Sequence, residues 1–293
     1  MGTPQLAADV LERLHQEENL EIVKVITQPD RPAGRKKQLQ APPVRELADE
    51  LELSVEQPAN KADLNEILHD LPEVDFYVVL AYGMILDEEV LELPRIAPIN
   101  VHFSLLPKYR GASPIHEAIL HGDQETGISI IKMEEKLDAG PVYLLQRLNL
   151  SPTDDLESLT KKLTDLTNNI LPLLLQDIYD QQFTPLPQEG QSSYCRKIKK
   201  SDGAIDWNKS AIEIFNMIRA YKSWPTAHTE FNGKKLKILE AQIATQTVPT
   251  SEFKLIDGVL HIGTGHGSII PISLQPEGKQ VMDAKSFTNG YLN

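Results

Sequence analysis

The chain predicts an α/β fold, a Rossmann-like, doubly wound, mostly parallel sheet followed by a small C-terminal β-barrel of OB-like type. Three observations carry that expectation. Apolar, strand-like runs at 20–27 and 75–81 alternate with helical patterns at 44–53 and 62–71, the order that builds parallel sheets. Pro185, Pro187 and Gly190 then interrupt the pattern and mark a linker. Beyond the linker, short strands alternate with Gly- and Asn-rich turns, as in small barrels. At 293 residues the chain exceeds what one compact core usually holds, so two domains are expected, 1–186 and 187–293.

Taken in order, Thr3 and Pro4 form a cap and first-turn pair for a helix with Leu6, Val10 and Leu14 on one face. The Ile- and Val-rich run at 20–27 reads as a strand buried on both faces. After it comes Q-P-D-R-P-A-G-R-K-K-Q-L-Q-A-P-P, a basic loop of a length that is more often functional than merely connecting. Tyr82, Gly83, Met84 and Ile85 follow the 75–81 strand. In the next extended run, Ile99 and Val101 point to one face while Asn100 and His102 share the other. Pro107 and Gly111 force a turn that leaves that pair near an open sheet edge, where α/β sheets bind ligands. A further strand is expected at 127–133, with Asp138 in the turn beyond it. An Asn, a His and an Asp can therefore converge, although on spacing alone such a pair is more often structural than functional.

Ser113 and Pro114 open a helix that ends near His121, and His116 and His121 on it read as surface or packing residues. Leucines at 156, 159, 163 and 166, with Ile170 and Leu174, keep helical spacing and read as core. Beyond the linker a turn leads into a helix bearing Ile212, Phe215, Ile218 and Tyr221, and strands are expected at 227–231, 236–244, 258–263 and 268–273. G-T-G-H-G at 263–267 lacks the spacing of a phosphate-binding fingerprint and reads as a hairpin turn.

Composition is ordinary for a globular protein, with 41% hydrophobic and 24% charged residues. A net charge of −13 argues against nucleic-acid binding through the overall field. Two basic runs remain as local candidates: Arg31, Arg35, Lys36 and Lys37, and Arg196, Lys197, Lys199 and Lys200. Charge runs of this kind are usually solvated faces. No apolar stretch is long enough to span a bilayer and the first residues lack a leader pattern, so no membrane partner and a cytoplasmic location are expected. The lone Cys195 fits a reducing compartment and offers no metal cluster.

The string N-V-H-F-S-L-L-P-K-Y-R-G-A-S-P-I at 100–115, followed by L-D-A-G at 137–140, resembles the signature of the folate-dependent formyltransferases, which use 10-formyltetrahydrofolate. The resemblance implies catalytic roles for Asn100, His102 and Asp138. It implies a folate pocket walled by Ala81, Tyr82, Gly83, Met84 and Ile85 on one side and by Ser104, Leu105, Leu106 and Pro107 on the other, with no metal. The 27–37 string resembles the insertion loop of those family members that formylate methionyl-tRNA, and the strings at 194–207 and 218–225 resemble their C-terminal domain. Initiator methionyl-tRNA is thus the implied partner of a monomer, gripped by Arg31, Arg35, Lys36 and Lys37, with Arg35 foremost, and tracked by Arg196, Lys197, Lys199 and Lys200. Two alternatives remain open. One is formylation of a nucleotide-linked amino sugar by the same residues, which does not call for the 27–37 loop. The other is an inactive RNA-binding relic, suggested by Phe103, where the family usually has Gly or Pro. The family also begins with an apolar strand before Gly-Thr-Pro, whereas here Gly2-Thr3-Pro4 follows Met1 directly. The expectation is a chain truncated at its N-terminus, with upstream residues that supply that strand.

Overall fold

The computed structural model describes residues 1–33 and 38–292. They fall into two compact units, one of Met1–Gly111, Thr126–Leu148 and Thr160–Tyr194, the other of Ala112–Glu125, Asn149–Leu159 and the residues from Cys195 onward. No described helix is long and apolar enough to cross a membrane.

Parallel pairing sets the frame of the first unit. Strand Phe76–Val79 runs parallel to Ala97–His102, with Val79 opposite Asn100. Val25–Ile26 runs parallel to Val55–Glu56. Gly2 joins the two pairs, because it bridges Leu80 in parallel while its N–H donates to the Ile26 carbonyl at 3.1 Å. On the other side of Ala97–His102, the strand Glu125–Lys132 runs antiparallel, with His102 opposite Ser129, and Val142–Asn149 follows it in the sheet. The sheet is therefore parallel at its centre and antiparallel towards this edge. Direction was hidden in the sequence because 126–131 is buried throughout, which produces the continuous apolar run that parallel strands also show.

Two apolar runs form less strand than their composition suggests. In 20–27 only Val25–Ile26 pairs as a strand, and the ladder begins where the Val25 N–H donates to the Ser54 carbonyl at 2.8 Å. The preceding residues line an apolar cavity of about 460 Å³, with Phe76 and Tyr77 facing them and Val10, Leu14 and Leu175 closing its sides. The 75–81 run forms Phe76–Val79, and Ala81 then leaves the sheet at φ +48°. Helix Gln5–His15 buries Ala7, Val10 and Leu14. Helix Leu156–Tyr179 follows the predicted leucine spacing, with Leu159, Leu163 and Leu174 fully or nearly buried. Arg31–Ala33 and Gln38–Gln40 pair antiparallel. Arg35, Lys36 and Lys37 lie outside the described residues.

In the second unit, helix Ala211–Ala220 begins with a reciprocal cap: the Ser210 hydroxyl accepts from the Glu213 N–H, and the Glu213 carboxylate accepts from the Ser210 N–H at 3.0 Å. The strands lie in the order His228–Phe231, Lys234–Ala244, Ser268–Pro276, Val259–Gly263 and Phe253–Ile256, each antiparallel to the next. Phe231 and Phe253 belong to the first and last strands of that order, yet their ring centroids are 4.7 Å apart. Phe287, from helix Ala284–Tyr291, stands 5.3 Å from Phe231. This aromatic contact curls the sheet into a half-barrel. The 263–267 run is a hairpin turn held by the Thr264 hydroxyl, which donates to the His266 and Gly267 carbonyls at 2.8 and 3.0 Å.

Candidate functional site

The alternation of the Ala97–His102 strand delivers Asn100 and His102 to the same side, and the turn after Glu125–Lys132 brings Asp138 to meet them. Asn100 Nδ2 lies 3.5 Å from Asp138 Oδ1, and His102 Nδ1 lies 3.6 Å from Asp138 Oδ2. The side chains of His102 and Asp138 are 7% and 9% exposed, so their attraction is poorly screened by water. The other ring nitrogen, His102 Nε2, is 2.9 Å from the Tyr109 carbonyl. Oxygen atoms thus face both ring nitrogens, the Tyr109 carbonyl within hydrogen-bond distance and the Asp138 carboxylate just beyond it, which fixes the orientation of the ring. Asp138 Oδ2 is also held by the Gly111 N–H at 2.7 Å. The arrangement presents a hydrogen-bond donor on Asn100, an imidazole ring and a carboxylate within one small volume.

The residues expected to wall a folate pocket divide by what they expose. Ala81, Gly83 and Ile85 are exposed, and Met84 and Leu105 are half-buried. Gly83 has φ +91° and open space around it, so a flat ring has room to approach its backbone. Tyr82 differs from expectation: its ring packs into the core with Leu64, Leu68 and Val79, and burial pushes its phenol up to about 12. Only its backbone is available at the rim, and its carbonyl accepts from the Thr3 hydroxyl at 3.0 Å. Ser104 likewise acts within the fold, since its hydroxyl donates to the Lys108 carbonyl at 2.6 Å. Leu106 and Pro107 are buried, as is Phe103.

Ser129 and the 186–193 segment complete the site and were not singled out from the sequence. The Ser129 hydroxyl donates to the Ser104 carbonyl at 2.6 Å and accepts from the Leu106 N–H at 2.9 Å. Leu186 exchanges both backbone hydrogen bonds with Val142, at 2.7 and 2.9 Å. Ser193 then accepts from the Tyr109 N–H through its hydroxyl and from the Arg110 N–H through its carbonyl, both at 2.9 Å. The expected linker is therefore a strap that fixes the 107–111 turn, including the Tyr109 carbonyl that His102 faces.

Of the expected tRNA contacts, Arg31 is exposed and donates to Gln28 Oε1 at 2.9 Å. Arg196 is committed to a bidentate pair with Asp202 at 2.7 and 2.8 Å, and this hydrogen-bonded partner holds the Asp202 carboxyl below its usual range. Lys197, Lys199 and Lys200 are exposed. Lys200 also has company that the sequence did not suggest. Lys235 is pushed down by desolvation and then by the neighbouring charges of Lys200 and Lys237, with Glu277 opposing them.

The chain matches two family models, "Formyl transferase" over residues 1–175 and "Formyl transferase, C-terminal domain" over 197–292. It is 39% identical to a methionyl-tRNA formyltransferase of Mesoplasma florum, covering 98% of this chain and 92% of that protein. It is 40% identical to one of Caldicellulosiruptor saccharolyticus, covering 99% and 96%. Among solved structures, an N-formyltransferase from Helicobacter canadensis in complex with folinic acid and dTDP-3-aminofucose superposes with a TM-score of 0.69 at 20% identity, over 92% of this chain and 96% of that one. A 4-N formyltransferase from Francisella tularensis gives 0.61 at 17% identity, over 78% and 90%. These last two likenesses concern the fold.

Proposed function

The chain belongs to the formyl transferase family, and on that premise we propose that it transfers the formyl group of 10-formyltetrahydrofolate to the α-amino group of initiator methionyl-tRNA. The observation that carries this reading is the convergence of Asn100, His102 and Asp138 beside an open backbone rim. The domain at 1–186, with the strap that follows it, holds the chemistry, and the C-terminal domain joins the 27–37 loop in binding tRNA, in the cytoplasm and in the service of translation initiation.

Attack of the amine on the formyl carbon places negative charge on oxygen and leaves a surplus proton on nitrogen. Catalysis then needs a donor aimed at the oxygen and a path for the proton. Asn100 supplies the donor through its amide. His102, held between the Tyr109 carbonyl and Asp138, adds positive potential in its protonated form, in a site that excludes most water. Asp138 takes the amine's proton and passes it to the departing folate nitrogen, directly or through water. Ala81, Gly83 and Ile85 supply the exposed rim for the pterin, with Leu105 and Met84 at its margin; Tyr82, Ser104, Leu106 and Pro107 shape it from behind. Arg31 with Arg35, Lys36 and Lys37 grips the acceptor end, while Lys197, Lys199 and Lys200 follow the phosphate backbone.

The test is an assay of formyl transfer from 10-formyltetrahydrofolate to charged initiator tRNA, run beside a nucleotide-linked amino sugar as competing acceptor. Transfer to the tRNA is expected. Transfer only to the sugar overturns the acceptor, and tRNA binding without any transfer overturns the chemistry.

A further inference from the structure

The turn that carries Asp138 is held from outside itself. Asp138 sits at φ +51°, in the left-handed region that Asp and Asn enter more readily than other side-chain-bearing residues. Gly140, two residues on, packs so closely that an added Cβ would lie 1.9 Å from the Lys132 carbonyl oxygen. Gln188, a half-buried side chain in the otherwise mostly exposed strap, reaches this turn. Its Nε2 donates to the Asp138 carbonyl at 2.8 Å and to the Gly140 carbonyl at 2.9 Å. Its Oε1 accepts from Arg110 Nη2 at 2.6 Å and Nε at 3.2 Å. Two carbonyls on one side and a guanidinium on the other leave a single orientation for the amide. The residue after Arg110 is Gly111, whose N–H holds Asp138 Oδ2. One amide thus ties the backbone of Asp138 to the segment that grips its carboxylate.

We propose that Gln188 is a positioning residue for formyl transfer: its amide clamps the 138–140 turn against Arg110 and so sets the Asp138 carboxylate at its distance from His102 and Asn100. The proposal rests on the role given to Asp138 above.

Gln188→Glu separates this role from a merely structural one. Glutamate keeps the size and strengthens the partnership with Arg110, but it turns acceptors towards the two carbonyls in place of donors. The expected result is a fall in kcat of about 10–100-fold, the scale on which small displacements of reacting groups act. KM for the formyl donor and for tRNA should stay within about twofold, the pH profile of kcat should change shape, and the melting temperature should stay close to that of the parent. Gln188→Met, which keeps volume without the added charge, should show the same kcat loss. In an Asp138→Asn background, Gln188→Glu should cost nothing more. Parental kcat in both Gln188 variants, or a full additional loss on top of Asp138→Asn, overturns the proposal. Unchanged kcat in Asp138→Asn alone overturns the reading of Asp138 instead, a result distinguishable from failure of the clamp.

Discussion

His102 has the Tyr109 carbonyl 2.9 Å from one ring nitrogen and Asp138 Oδ2 3.6 Å from the other, so the ring is oriented before substrate arrives. A preorganised donor lowers the transition state more than the ground state, since the oxyanion exists only in the former. His102→Ala should therefore reduce turnover by about 10²–10³-fold while folate affinity changes little. Single-turnover kinetics together with equilibrium folate titration check both halves; near-parental turnover removes His102 from the mechanism. Strand alternation put Asn100 and His102 on one face, and the structure keeps them there; a role for the pair was suggested only by the resemblance, not by the spacing. Asp138 was legible only as a candidate. Its approach depends on the Gly111 N–H, 27 residues away, and on the Gln188 side-chain amide, 50 residues away, which holds the Asp138 backbone carbonyl; neither pairing is revealed by sequence spacing.

Elements carry the site as much as residues do, and Ser129 shows how. It stands opposite His102 in the antiparallel ladder and ties the Ser104 carbonyl and the Leu106 N–H, both buried, to its strand. Ser129→Ala leaves two buried backbone groups without that partner. A loss of about 2–6 kcal/mol follows, at roughly 1–3 kcal/mol for each unsatisfied group, and it is measured by denaturant unfolding. Much of this architecture followed from pattern: the long leucine-striped helix, the helix after Ser210 and four strands of the half-barrel lie within a few residues of expectation. Phe253–Ile256 and Ala284–Tyr291 did not, because each is short and mixed in polarity, and their place is fixed by ring contacts among Phe231, Phe253 and Phe287. The strap was read as a linker for a related reason. Proline and glycine signal an interruption in regular structure, and they say nothing about where the interrupted chain is tied.

At the scale of the whole molecule, stability against acid and attraction to a polyanion both follow from charge placement. Burial pushes His116, packed 6.1 Å from the Tyr221 ring, down from 6.5 to about 4. The unfolded chain therefore takes up a proton below about pH 6.5 that the folded state refuses until about pH 4. The contribution of His116 is full above pH 6.5 and is lost through that window, on the order of 3 kcal/mol, and His116→Gln should flatten the decline in denaturant unfolding measured from pH 7 to 4. Attraction to tRNA is a separate matter, because a net charge of −13 makes the overall field repulsive and leaves the work to local lysines. Lys197, Lys199 and Lys200 are exposed, whereas Arg196 is matched by Asp202 at 2.7 and 2.8 Å. Each lysine that displaces a counterion from a phosphate contributes roughly 0.7–0.9 to the slope of log affinity against log salt. Alanine at Lys197, Lys199 or Lys200 should therefore flatten that slope by about this amount, and alanine at Arg196 should flatten it less. Titrations of charged initiator tRNA between about 50 and 200 mM salt measure the slopes. Folate affinity in the same variants should remain that of the parent. If all three lysine variants keep the parental slope, the tRNA backbone runs over a different face, and the run at 196–200 is a solvated surface of the kind that charge clusters most often are.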